Sequence, residues 1–103
     1  MSYIKLGNVR PFPNVEPDKA QALKPLEEAA EVFGAWQHTP VGALDPTMCE
    51  GRSMERYATP LIDEIADTIQ ACCNLSSALG VTDLTPYLAR CEERNRERGR
   101  YDR

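Results

Sequence analysis

Apolar residues recur at helical spacing through three stretches of the chain, and no stretch of useful length alternates with the period of two that marks a strand. In the first stretch Leu23, Leu26, Ala30 and Phe33, continued by Trp36 or Gln37, step along one face and predict a helix over 18–37. Asp18 stands at its start, with Gln21 three positions on, as in a capping box. Pro25 lacks the N–H of a helix interior, so it either kinks this helix or opens its main part; a kinked but continuous path is the expectation. His38, Thr39 and Pro40 end it, His38 being placed to cap carbonyls rather than to catalyse.

The second stretch carries Ile62, Ile65, Ala66, Ile69, Cys72 and Cys73. It predicts a helix that starts near Ser53 or at Thr59–Pro60 and runs to Leu79, with Gly80 as its C-terminal cap. The third, with Leu84, Tyr87, Leu88 and Cys91, predicts a helix from Asp83 or Thr85–Pro86 to about Arg98, stopped by Gly99. Residues 1–17, with Gly7, Pro11, Pro13 and Pro17, are expected to be extended, tied to the body by Tyr3, Ile4, Leu6 and Phe12. Pro40, Gly42, Pro46 and Gly51 mark a loop over 39–53. The expected class is therefore all-α, a bundle of three main helices, with an extended segment 1–17 and a single helical domain 18–103.

At 103 residues such a domain buries a modest core, which favours completion of the core by another subunit. The net charge of -4 argues against a protein that coats nucleic acid, though not against a small phosphorylated substrate held through a metal. No apolar run approaches the ~18 residues of a membrane span, and no apolar signal core stands at the N-terminus, so the expectation is a cytoplasmic protein. Cys49, Cys72, Cys73 and Cys91 are then reduced thiols; the adjacent pair Cys72–Cys73 points about 100° apart on a helix, unlike a CxxC pair.

Two acidic clusters carry the candidate chemistry. The first predicted helix holds Glu27-Glu28-Ala29-Ala30-Glu31 and the second Asp63-Glu64-Ile65-Ala66-Asp67. Glu28 with Glu31, and Glu64 with Asp67, are three apart and so share a helix face. Antiparallel packing would point four carboxylates into one space, where their repulsion calls for a cation, and hard oxygen ligands suit Mg²⁺ or Mn²⁺. The alternative is a solvated face, with Lys24 pairing Glu28 at i,i+4. Against it, the acidic side of the second helix also carries Ala71, Leu75 and Ala78, so this helix is expected to be covered on both sides.

Glu27-Glu28-x-x-Glu31 followed by Glu64-x-x-Asp67 resembles the EExxE and ExxD signature of the MazG-like all-α nucleoside triphosphate pyrophosphohydrolases, over residues 18–101. The resemblance implies that Glu28, Glu31, Glu64 and Asp67 hold Mg²⁺, and that Glu27 or Asp63 holds a second ion or orients the attacking water. It implies attack on the α-phosphorus of a ribo- or deoxynucleoside triphosphate, releasing pyrophosphate and the monophosphate, in a homodimer or homotetramer. The arginine-rich end of the third helix then resembles a phosphate clamp, with Asn95 and Arg98 the expected contacts, unless it is a solvated tail balanced by Glu92, Glu93 and Glu97. Lys24 can also touch a phosphate, and Trp36 can stack on a base, although a lone tryptophan there is more often core.

Two other classes compete. A non-catalytic helical regulatory or interaction protein would use the same scaffold without responding to metal. A carboxylate-bridged di-iron bundle needs an E-x-x-H pattern, and the only histidine, His38, has no partner of that kind. No complete P-loop or GxGxxG sequence is present.

Overall fold

The structure, a computed structural model, describes residues 2–39 and 51–102, with the side chains of 51–57 excepted. It contains α1 (Lys19–Gln37), α2 (Gly51–Ala78) and α3 (Thr85–Glu97), and no strand among the described residues. Most of the expected 39–53 loop, with Cys49, lies outside the described residues, and 51–53 belong to α2, which begins earlier than the Ser53 or Thr59 start read from the pattern.

Local chemistry accounts for the helix ends. Asp18 caps α1, its carboxylate accepting the Gln21 N–H at 2.9 Å. Pro25 and Pro60 both lie inside helices that continue past them. Gly80, at φ 82°, ends α2 in a Schellman motif: its N–H donates to the Ser77 carbonyl and that of Val81 reaches back to Ser76. Gly99, at φ 73°, repeats the motif after α3, with Gly99 donating to Arg96 and Arg100 to Asn95. Asp83 accepts the Thr85 N–H at 2.9 Å and starts α3.

Among the described residues, α1 and α2 are the helices that pack together. Gln21 shares one cavity wall with Ala71 and Asn74, while Glu28 meets Glu64 and Asp67, so the pair is antiparallel. The half-buried positions of α1 are Gln21, Pro25, Glu28, Val32 and Ala35, with Gly34 beside the last; those buried or half-buried on α2 include Leu61, Glu64, Thr68, Ala71, Leu75 and Ala78. Both series step by four and three, the spacing of a coiled-coil seam. The seam mixes apolar side chains (Val32, Leu61, Leu75 and the alanines) with polar ones, and it carries Glu28 and Glu64 of the acidic motifs.

The apolar stripes read from the sequence lie elsewhere. Leu23, Leu26, Ala30 and Phe33 fall on the side of α1 away from α2, with Leu26 68 % and Phe33 60 % exposed. On α2, Ile62 and Ile65 are likewise exposed, Ile62 by 56 %. Ile69, Cys72 and Cys73 line a groove of about 760 Å³, roofed by residues of the N-terminal segment and the start of α3. Among the described residues, Leu61, Ala71 and Asn74 are the buried ones. The expectation of three helices in one bundle is corrected accordingly: two helices form a hairpin, and α3 is joined to them through the connection at Gly80 and the N-terminal arm. Proline-rich and extended, that arm crosses both: Tyr3 Oη donates to Glu92 Oε2 of α3 at 3.5 Å, and residues 10–12 hydrogen-bond to α2.

Candidate metal centre

The seam between α1 and α2 brings carboxylates from both acidic motifs into one place. Glu28 of α1 and Glu64 and Asp67 of α2 each offer an oxygen within 4.8 Å of the other two, a group able to hold a metal ion. Glu28 and Glu64 are half-buried and Asp67 is exposed, so the cluster opens to solvent on the Asp67 side. Glu31, one turn beyond Glu28, is exposed and lies outside this group of three, close enough to raise the proton affinity of both Glu28 and Glu64.

The electrostatics show what this convergence costs. The Glu28 carboxyl is held above the usual range, first by a shared hydrogen bond with Glu31, then by burial and by the charges of Glu31, Asp67 and Glu64. Glu64 is also raised, first by burial and then by the charges of Glu31 and Asp67. Its Oε2 is buried and has no hydrogen-bond partner among the described residues. When Glu31 and Glu64 are both ionised neither has a proton to donate, so the shared hydrogen bond is open only to a protonated form. A buried carboxylate oxygen that faces other carboxylates is an arrangement that a bound cation would relieve.

The donor set fits a hard divalent cation. All donors are carboxylate oxygens, as Mg²⁺ and Mn²⁺ prefer over sulfur or imidazole. Ligands at about 2.1 Å from one Mg²⁺ lie up to about 4.2 Å apart across it, so an opening of 4.8 Å closes by small side-chain rotations.

The remaining candidate residues are distributed as follows. Glu27 forms an ion pair with Lys24 at 3.1 Å, so Lys24 pairs at i,i+3 with Glu27 rather than with Glu28 as its spacing also allowed. Asp63 is exposed beside the cluster and adds to the field at Glu64. Trp36, at the end of α1, is 50 % exposed and is not core within one chain. Asn95 donates to Cys91 Sγ at 3.5 Å and Arg98 caps α3, and since α3 packs on neither α1 nor α2, one chain does not bring them to the carboxylates. Of the other tail arginines, Arg96 pairs with Glu92 and Glu93, and the Arg90 guanidinium lies 5.0 Å from the centre of the Tyr87 ring.

Sequence reasoning missed the group beside the cluster. A cavity of about 250 Å³ shares Glu28 and Asp67 with it and is otherwise lined by Phe12, Gln21, Lys24, Gln70, Ala71 and Asn74. Asn74 was hidden because a polar residue at a buried helical position reads as surface, and Phe12 because it comes from a segment outside every periodic pattern. No helix among the described residues is long and apolar enough to cross a membrane. No protein-family model, curated protein or solved structure matches the chain.

Proposed function

We propose that Glu28, Glu31, Glu64 and Asp67 bind Mg²⁺, with Mn²⁺ as a substitute, and that the chain hydrolyses nucleoside triphosphates to the monophosphate and pyrophosphate. One observation carries the reading: carboxylates from two helices converge within 4.8 Å around a buried Glu64 oxygen that has no partner. The order and spacing of the two motifs, which resemble those of the MazG-like pyrophosphohydrolases, supply the reaction class. Bound Mg²⁺ would offset the charge of the triphosphate and polarise its phosphoryl oxygens.

The chain's own residues do the rest by placement. The seam fixes the four carboxylates on two rigid helices, which holds a bound phosphate chain in register for in-line attack. Lys24, at the rim of the adjoining cavity, offers a positive charge to the phosphates while Glu27 keeps it oriented. Asp63 is the exposed carboxylate placed to orient a water beside the cluster. In the reaction a water oxygen bonds to the α-phosphorus, the α,β-bridging P–O bond breaks, and pyrophosphate leaves as the water's proton is lost.

The apolar faces of α1 and α2 favour a homo-oligomer as the working form. A second copy is also the route by which Asn95 and Arg98 would face the carboxylates. Those same faces support the competing reading, a non-catalytic interaction protein on this scaffold. Pyrophosphate release from a panel of ribo- and deoxynucleoside triphosphates with Mg²⁺, with Glu64→Gln as the control, separates them. Release by the wild type that falls at least a hundredfold in Glu64→Gln is expected. A folded protein that releases none, and whose melting is unmoved by Mg²⁺, would establish the interaction reading instead.

A further inference from the structure

The cavity beside the carboxylates is built around one asparagine. Asn74 is 5 % exposed, a polar side chain in the most buried class of the molecule. Its amide orientation is fixed by chemistry: the Phe12 backbone N–H can only donate, so the atom 3.0 Å from it is Asn74 Oδ1. Gln70 is fixed in the same way. Its partner at 2.8 Å is the Arg10 carbonyl, which can only accept, so Gln70 presents Nε2 there and gives its second hydrogen to Asn74 Oδ1 at 3.0 Å.

Asn74 Oδ1 is thus saturated by two donors, while Nδ2 has no hydrogen-bond partner among the described residues. Gln70 has spent both its donors and keeps Oε1 as an acceptor without a donor among them. The side chain is buried as a whole and lines the cavity, so Nδ2 is a donor that the protein leaves to water or to a ligand atom entering there. Both residues line the cavity of about 250 Å³. Its far wall is Phe12, an aromatic ring between Pro11 and Pro13, whose fixed backbone angles stiffen the arm there. The cavity is smaller than the roughly 300–1,000 Å³ of a site that takes a whole drug-sized ligand. It has room for a ring, and at Glu28 and Asp67 it opens onto the carboxylates.

We propose that this cavity binds the heterocyclic base of the substrate, with Asn74 Nδ2 donating to a ring carbonyl or ring nitrogen, Gln70 Oε1 accepting from a ring N–H or amino group, and Phe12 packing on the ring. The assignment rests on the nucleotide reading above and adds to it which residues recognise the base. It gives the N-terminal arm a function: pinned to α2 through Gln70 and Asn74, the arm supplies one wall of the binding site.

Asn74→Asp is the decisive variant. It keeps an oxygen to accept from Phe12 and Gln70 and exchanges the free donor for a second carboxylate oxygen; because this also adds a negative charge in a cavity that holds Glu28 and Asp67, Phe12→Ala serves as the charge-neutral companion variant. The probes are deoxycytidine, thymidine, deoxyadenosine and deoxyguanosine at millimolar concentration without metal, followed on the ¹⁵N-labelled full chain by the Asn74 side-chain amide resonances. At least one nucleoside is expected to shift these resonances, and ribose to leave them unmoved. In Asn74→Asp, followed by the Gln70 side-chain amide resonances, the affinity for that nucleoside is expected to fall at least tenfold, while the Phe12 backbone resonance of the free protein stays in place. Phe12→Ala, at an exposed position, is expected to weaken binding comparably without affecting folding. The proposal is overturned if no nucleoside moves the Asn74 resonances, or if both variants bind as the wild type does. A separate Mg²⁺ titration of the wild type and Glu64→Gln tests the cation reading. Mg²⁺ binding without nucleoside binding removes the base pocket alone, and nucleoside binding without Mg²⁺ binding removes the triphosphate reaction alone.

Discussion

Glu64 joins two facts that conflict in the metal-free chain: it sits on the packing seam, and it has a buried oxygen with no donor. Glu28, across the seam, shares a hydrogen bond with Glu31 that exists only while a proton is present. Both carboxyls titrate above their ordinary range, so the fold favours their protonated forms. The stability they contribute is complete below the unfolded-state pKa of about 4.3 and is lost as pH rises through the raised folded-state values. In chelator, these two groups should therefore make the melting temperature rise as pH is lowered from neutral towards 5. A divalent cation needs the ionised forms, so saturating Mg²⁺ should raise the melting temperature at neutral pH and lose that effect on acidification. Glu64→Gln should melt a few degrees higher than the wild type in chelator and ignore Mg²⁺. Thermal melts from pH 5 to 8 with EDTA and with Mg²⁺ check all three outcomes. A chelated wild type most stable at the alkaline end, with Glu64→Gln less stable than it, would show that the cluster carries no such conflict.

At the scale of elements, the helices were legible because their ends are written in local chemistry. Asp18 and Gly80 do in the structure what their residue types demand. Gly80 gives a clean measure of how much an end contributes. It sits at φ 82°, and a Cβ there would meet nothing within 4 Å, so the cost of a side chain is conformational alone. Gly80→Ala should destabilise the protein by about 1–2 kcal/mol, the cost of a left-handed L-residue, read from denaturant melts. A neutral substitution would mean that the α2 terminus tolerates another ending. On α2 the expectation that the acidic side is also covered holds, since Ala71, Leu75 and Ala78 lie on the seam; what the pattern did not reveal was which face α1 packs. Hydrophobic periodicity finds the most apolar stripe, here Leu23, Leu26, Ala30 and Phe33 on α1, and assigns it to the core. The observed seam of Gln21, Pro25, Glu28, Val32 and Ala35 has the spacing of a packed face without its apolarity, so a period search passes over it. The acidic motifs were found because charge at i and i+3 needs no knowledge of the packing face. Asn74 and Phe12 were not found, since the cavity they share depends on where residues 10–12 cross α2, a long-range contact that no local pattern encodes.

For the whole molecule, the placement of apolar surface is the dominant fact. A monomer of 11.5 kDa is expected to expose about 5,800 Å², whereas this chain exposes 8564 Å². The excess is on the order of what one subunit buries in an obligate oligomer. Part of it is apolar surface on helices: Leu26 and Phe33 of α1 are 68 % and 60 % exposed on the side away from the hairpin seam, and Ile62 of α2 is 56 % exposed. Among the described residues three are buried, too few to offset the conformational entropy of ordering the chain alone. Copies that pair through the α1 stripe would bury Leu26 and Phe33 and leave the carboxylate seam inside each hairpin. Sedimentation at micromolar concentration should therefore give a multiple of 11.5 kDa, with a melting temperature that rises with protein concentration. Phe33→Glu, which puts a charge in the middle of the α1 stripe without touching the seam, should shift the mass toward the monomer and lower the melting temperature. A cooperative transition independent of concentration at the monomer mass would instead mean that the hairpin, the arm and α3 suffice by themselves, and that the exposed stripes serve a different partner.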